Sequence, residues 1–231
     1  MYNMYTQGKI QELTQKILDE KLIVIVRGMA EDEILPLAEA LYAGGIRLIE
    51  VTFNLSDTGS YPATARAIQA ISKRFGMDMP VGAGTVVLAE QVDMAYEAGA
   101  GFIISPNAAS EVISRTKDRG LISMPGALTP GECQSAHMAG ADFIKLFPAG
   151  EMGAGYLKAV AAPLSHLRFL AVGGINEKNI PAFIKAGASG FGVGGNLVNR
   201  EWIKASEFNK ITALARDYVD AVREGVRSDA P

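Results

Sequence analysis

Lys145 interrupts an otherwise apolar, strand-like run, Asp142-Phe143-Ile144-Lys145-Leu146-Phe147-Pro148. Burying an unpaired ammonium costs several kcal/mol, so such a lysine needs an ionic partner, a route to water, or loss of its proton. The third outcome has chemical consequences. A lysine brought down from about 10.4 by an apolar pocket is a nucleophile that attacks a carbonyl carbon and forms a Schiff base. A salt-bridged or snorkelling lysine is the structural alternative. Which of the two holds depends on what the fold places around Lys145.

Four segments end a helix and open a strand in the same wording: Glu39-Ala40-Leu41-Tyr42-Ala43-Gly44-Gly45, Tyr96-Glu97-Ala98-Gly99-Ala100, Ala136-His137-Met138-Ala139-Gly140-Ala141 and Ile184-Lys185-Ala186-Gly187-Ala188. Glycine just past a last helical turn takes the left-handed conformation that caps it, and an apolar strand follows each time. Reading outward from these stops predicts eight strands, near Leu22–Val26, Ile46–Thr52, Val81–Gly84, Phe102–Ser105, Leu121–Met124, Phe143–Leu146, Phe169–Val172 and Gly190–Gly194. Helices are predicted between them, about Glu31–Tyr42, Ala63–Arg74, Ala89–Ala98, Ser110–Arg119, Pro130–Met138, Ala154–Ala162, Glu177–Lys185 and Glu207–Arg223. Strict alternation of short apolar strands with helices means a parallel α/β sheet, and eight units favour closure into a (β/α)8 TIM barrel over an open doubly wound sheet. Ile10, Leu13, Ile17 and Leu18 share one face of an N-terminal helix at about residues 9–19. No composition break or linker divides the chain, so one domain is expected over 1–231, with a polar tail fraying at about residues 226–231.

In such a barrel the active site gathers at the C-terminal ends of the strands. Those ends carry Arg27-Gly28, Glu50 and Thr52 before Asn54, Gly82-Ala83-Gly84-Thr85, Ser105-Pro106-Asn107, Pro125-Gly126, Lys145 before Phe147-Pro148, Gly173-Gly174, and Gly194-Gly195-Asn196. Each has an ordinary alternative. Glu50 and Arg27 could form a structural bridge at the barrel mouth, Thr85 could cap the next helix, and the prolines and glycines could be turn chemistry alone. The glycine pairs after strands seven and eight also suit a phosphate, since glycines let backbone N–H groups approach anionic oxygens.

Composition narrows the partners. Twenty-two basic against 25 acidic residues give a net charge of −3 without a basic block, so neither nucleic acid nor a membrane surface is an expected partner. The single cysteine, Cys133, allows no intrachain disulfide and fits a reducing cytoplasm. No targeting segment is read in Met1 to Glu20, and no apolar run reaches membrane-span length. His137 and His166, the only histidines, have no ligand partners at metal spacing, so no metal or other cofactor is expected.

Glu50-Val51-Thr52, Val81-Gly82-Ala83-Gly84-Thr85-Val86, Ile104-Ser105-Pro106, Met124-Pro125-Gly126, Ile144-Lys145-Leu146-Phe147-Pro148-Ala149 and Val172-Gly173-Gly174-Ile175 occur in an order that resembles the 2-keto-3-deoxy-6-phosphogluconate (KDPG) and 4-hydroxy-2-oxoglutarate aldolase family, from about Leu22 to Val198. The resemblance implies a class I aldolase acting on a phosphorylated 2-keto acid and assembling as a homotrimer. Lys145 would be the Schiff-base lysine, Glu50 the general acid/base and Thr85 a substrate-positioning hydroxyl. Pro106 and Phe147, within the matching motifs, would contact substrate, and Gly173, Gly174, Gly194 and Gly195 would hold its phosphate. Two departures stand out. Asn54 occupies the place where members resembling Glu-Val-Thr-Leu-Arg have an arginine for the keto-acid carboxylate, which leaves Arg27 to supply that cation. Gly195-Asn196 stands where many members have a serine, so Asn196 is the remaining polar side chain for the phosphate. The first departure puts the substrate epimer, gluconate or galactonate, in question; 4-hydroxy-2-oxoglutarate is a further alternative substrate for the same chemistry. The rival readings are a metal-dependent aldolase, a phosphosugar isomerase or epimerase, and a non-catalytic ligand-binding barrel.

Overall fold

The computed structural model describes residues 7–229. Its elements in chain order are α1 (Gln7–Glu20), β1 (Leu22–Arg27), α2 (Ile34–Ala43), β2 (Ile49–Thr52), α3 (Tyr61–Phe75), β3 (Val81–Gly84), α4 (Ala89–Glu97), β4 (Phe102–Ile104), α5 (Ser110–Asp118), β5 (Ile122–Met124), β6 (Gly126–Ala127), α6 (Pro130–Met138), β7 (Ile144–Leu146), α7 (Ala149–Met152), α8 (Ala154–Ala161), β8 (Phe169–Val172), α9 (Ile180–Lys185), β9 (Gly190–Val193), α10 (Arg200–Lys204) and α11 (Phe208–Asp229). All strand pairings are parallel, in the order β5-β4-β3-β2-β1-β9-β8-β7-β6. The fold is the expected (β/α)8 TIM-type barrel with a helix before its first strand.

The four repeated helix stops account for much of this alternation. Gly45, Gly99, Gly140 and Gly187 all have φ between 91° and 107°. After each, the next residue's N–H reaches back to the helix: Ile46 to the Leu41 carbonyl, Ala100 to Ala95, Ala141 to Ala136 and Ala188 to Phe183, at 2.9–3.1 Å. This satisfies carbonyls the helix end would leave open and turns the chain into the next strand.

Strand five differs from expectation, being two short strands parted by Pro125. Proline has no N–H to give the ladder, so β5 pairs with β4 while β6 pairs with β7. The ring still closes there, because the Ser123 carbonyl accepts from Asp142 and Phe143, and the Pro125 carbonyl accepts from Lys145 N–H at 2.9 Å. Several strands are also shorter than predicted: β2 starts at Ile49 rather than Ile46, and β4 and β9 end one residue early. Among the helices, α9 starts at Ile180 rather than Glu177 because Asn176 and Asn179 bond one another's backbone N–H groups in a tight turn. The unexpected α7 and α10 are single turns over the barrel mouth.

Leu13 and Ile17 of α1 are fully buried, with Ile10 and Leu18 packed beside them. The predicted fraying after Val226 is not what occurs. α11 continues to Asp229, with buried Gly225 fitted against Ile184 and Pro181; residues 230–231 lie outside the described residues, as do residues 1–6 of the segment read for targeting signals. Cys133 is buried, and burial pushes its thiol up to about 11, in keeping with a packing role. No described helix is long and apolar enough to cross a membrane.

Candidate active site

At the C-terminal ends of the strands lies a cavity of about 730 Å³. Its lining includes every residue singled out as a site candidate: Lys145, Glu50, Arg27, Thr85, Pro106, Phe147, Gly173, Gly174, Gly194, Gly195 and Asn196. Strand register brings them together. Ile25 of β1 stands opposite Glu50, which stands opposite Gly82 of β3, while Lys145 lies between Gly126 of β6 and Leu170 of β8.

Glu50 is 2% exposed and Lys145 9%. Neither they nor Arg27 forms a salt bridge among the described residues, which rules out the structural-bridge alternatives raised for Lys145 and for Glu50 with Arg27. Burial pushes the Glu50 carboxyl up to about 7, against the opposing pull of Lys145 and then Arg27. The Lys145 ammonium is pushed below its ordinary value, chiefly by burial, with Glu50 opposing and Arg27 adding to the shift. One oxygen of Glu50, Oε2, has no hydrogen-bond partner, and neither has Oγ1 of buried Thr52. A buried carboxylate left unsatisfied beside a lysine whose ammonium form burial disfavours is what a proton-transfer site requires and a structural core avoids.

The glycines of β3 have a spatial function rather than a turn function. A Cβ on Gly84 would overlap the Glu50 carboxylate, and one on Gly82 would overlap the Phe102 ring. Thr85 follows with φ 57°, a conformation that is a genuine outlier for a β-branched residue and is held only where surroundings over-determine it. It does not cap α4: Leu88 stands at that N-cap, and Gln91 Oε1 accepts from Val87 and Leu88 N–H. The Thr85 side chain is left to the cavity.

On the opposite wall, Phe147 is 44% exposed, with its ring centroid 5.2 Å from Lys145 Nζ. Gly173 and Gly174 have φ 88° and 71°, and a Cβ on Gly173 would come within 3.0 Å of that ring. The N–H groups of Gly174, Ile175, Gly195 and Asn196 donate no hydrogen bond within the described residues. Backbone donors left open along two adjacent loops make an anion cradle.

Asn54 does not line the cavity; its Oδ1 accepts from Ser56 N–H in a local turn. Sequence reasoning passed over Asn199, Arg200 and Glu201, which also line the cavity. The available signal was Asn199, a good N-cap placed just after the glycine pair. Its Oδ1 accepts from Glu201 and Trp202 N–H and so fixes the start of α10. The two histidines, distant in sequence, meet on the surface with ring centroids 5.1 Å apart, and His166 bonds Gln134. No group of three metal-ligating side chains occurs among the described residues.

Residues 13–214 match the aldolase family described as KDPG and KHG aldolase. The chain belongs to that family. Among members of the KDPG and KHG aldolase family, it is similar to the 2-dehydro-3-deoxy-6-phosphogalactonate aldolase of Escherichia coli strain K12, with 35% identity over 89% of this chain and 96% of that protein. It is also similar to the 2-dehydro-3-deoxy-phosphogluconate aldolase of Treponema pallidum, with 33% identity over 87% and 93%. A solved family member, the KDPG aldolase from Legionella pneumophila with pyruvate captured at low pH as a covalent carbinolamine intermediate, superposes with a TM-score of 0.78 at 29% identity, covering 92% of this chain and 97% of that one.

Proposed function

We propose that this protein is a class I aldolase that cleaves 2-keto-3-deoxy-6-phosphogluconate to pyruvate and glyceraldehyde 3-phosphate. The observation that carries the reading is the pairing of Lys145, depressed by burial, with unpartnered Glu50, raised to about 7, in one cavity. The solved Legionella relative, holding pyruvate as a carbinolamine, supports covalent chemistry in the family.

Neutral Lys145 Nζ adds to the C2 carbonyl, and uptake of a proton from solvent with loss of water gives a protonated imine, the proton leaving again when the imine is hydrolysed. Arg27 offers the guanidinium for the substrate carboxylate, and the amides of the two glycine loops offer donors to the phosphate. The Glu50 carboxylate then takes the C4 hydroxyl proton. The C3–C4 bond breaks as its electron pair moves into the imine, the aldehyde departs, and an enamine of pyruvate remains. Glu50, now protonated, returns that proton to C3, and water hydrolyses the imine to release pyruvate and Lys145. One carboxyl serves both transfers because a group near pH 7 exists in both forms at working pH. Phe147 roofs the lysine and keeps its surroundings apolar, while Thr85 and Pro106 border the reacting carbons.

The 6-phosphogalactonate epimer is the second reading. It is favoured by Arg27 lining the cavity while Asn54 turns away from it, and by the similarity to the Escherichia coli phosphogalactonate enzyme. Comparing kcat/KM on the two epimers separates these readings.

The test of the reaction class is incubation with pyruvate and borohydride followed by peptide mass mapping. A reduced pyruvyl adduct on Lys145 is expected. An unmodified chain, or an adduct confined to another lysine, would remove the Schiff-base assignment and return the barrel to a phosphosugar isomerase reading.

A further inference from the structure

Arg200 is the cavity cation that the mechanism above leaves unused. It is the first residue of α10, and the Asn199 cap fixes the turn it projects from. Its side chain crosses from the β9–α10 loop to the end of β1, where Nη2 donates to the Arg27 carbonyl at 2.6 Å. Gly28, with φ 57°, is what admits it there: a Cβ at that position would lie 2.9 Å from Arg200 Nη2. No carboxylate pairs with Arg200 among the described residues. One guanidinium nitrogen is therefore anchored on backbone, and the rest of a rigid donor fork is uncommitted in the cavity.

Its position relative to the reacting groups differs from that of Arg27. Arg27 bears electrostatically on both Glu50 and Lys145. Arg27 is thus a cation of the reaction centre, while Arg200 opens α10 just beyond the loop that carries Gly194, Gly195 and Asn196. Glu201 also lines that side, and its carboxylate alone would repel an incoming dianion. An anchored guanidinium beside open backbone amides suits a phosphate monoester, whose charge a planar fork meets with two hydrogen bonds.

We propose that Arg200 is a substrate-binding and specificity-determining residue that recognises the phosphate of the 2-keto acid and makes the enzyme prefer phosphorylated over unphosphorylated substrates. The inference rests on the aldolase reading, and it supplies the side-chain contact that Gly195 cannot make.

Arg200→Gln tests it with two readouts. On the phosphorylated substrate kcat/KM should fall about 10- to 100-fold, chiefly through KM, as expected for loss of a charged hydrogen bond. Exchange of pyruvate's methyl protons, which involves no phosphate, should fall less than about twofold on the same scale. An equal fall in both assays would show that Arg200 acts through Arg27 and overturn the proposal, as would no fall in either. Calorimetric binding of inorganic phosphate reads the same contact without any chemistry, and should weaken about tenfold in the variant. Unchanged phosphate affinity sinks the Arg200 assignment even if the wild type traps pyruvate; failure to trap pyruvate with weakened phosphate binding sinks only the aldolase reading. Arg200→Lys keeps the charge, so its phosphate affinity should lie between wild type and the glutamine variant, and affinity no better than glutamine's also counts against the proposal.

Discussion

Of the two cavity groups whose ionisation burial shifts, Glu50 has the more demanding position. Its carboxyl must give up a proton in one half-reaction and hold one in the next, and burial to 2% exposure sets the balance by raising it to about 7. Glutamine has nearly the same shape and no proton to move. Glu50→Gln should therefore slow exchange of pyruvate's methyl protons at pH 7.5 by about 100-fold or more, within the range ascribed to general acid–base catalysis, while borohydride still traps the imine on Lys145. Exchange at the native rate would take proton transfer away from Glu50. At this scale the sequence was readable where chemistry conflicts with surroundings. A lysine inside Phe143-Ile144-Lys145-Leu146 is conspicuous because apolar runs exclude charge. Arg200 was invisible for the opposite reason: an exposed arginine opening a short helix looks like any solvated charge, and only its reach to the Arg27 carbonyl 173 residues away distinguishes it.

At the scale of elements, the Ala-Gly stops were legible because a left-handed cap needs glycine locally, whatever the rest of the chain does. The β3 glycines were legible as glycines but not for their purpose, since the atom they avoid belongs to another strand. Gly84 sits beside Glu50 with no room for a methyl group, and both Thr52 and Gly84 are on paired strands that cannot shift independently. Gly84→Ala should displace the Glu50 carboxylate and lower kcat about 100-fold, as small misplacements of a reacting group do, with the chain still forming the barrel. Wild-type kcat in a folded Gly84→Ala protein would show that the carboxylate tolerates displacement. The division of strand five was half legible: Pro125 announced a missing N–H, but the transfer of pairing from β4 to β7 depends on barrel closure, a property of the whole ring.

The whole molecule bears the free-energy consequence of keeping these groups in its interior. A carboxyl raised from 4.5 to about 7 holds more protons when folded than when unfolded across that interval. Stability consequently falls as pH rises from about 4.5 to about 7, and the deficit is complete above that window. Lys145 acts in the opposite sense on a different interval: lowered in the fold, it binds more protons when unfolded, so its contribution becomes more favourable as pH rises from its folded value towards 10.5. Glu50→Gln removes the first slope and, with it, the opposing pull of Glu50 on Lys145, so the gain read at pH 8 is the net of the two. The glutamine variant should match wild type closely at pH 4.5 and be more stable at pH 8 by at most about 3 kcal/mol, the equivalent of the shift in Glu50. Urea unfolding at both pH values provides the comparison. A gain that is the same at pH 4.5 and pH 8 would come from packing rather than ionisation, whereas a gain that grows between them means that this barrel is less stable than its core allows because its interior holds the carboxylate its chemistry requires.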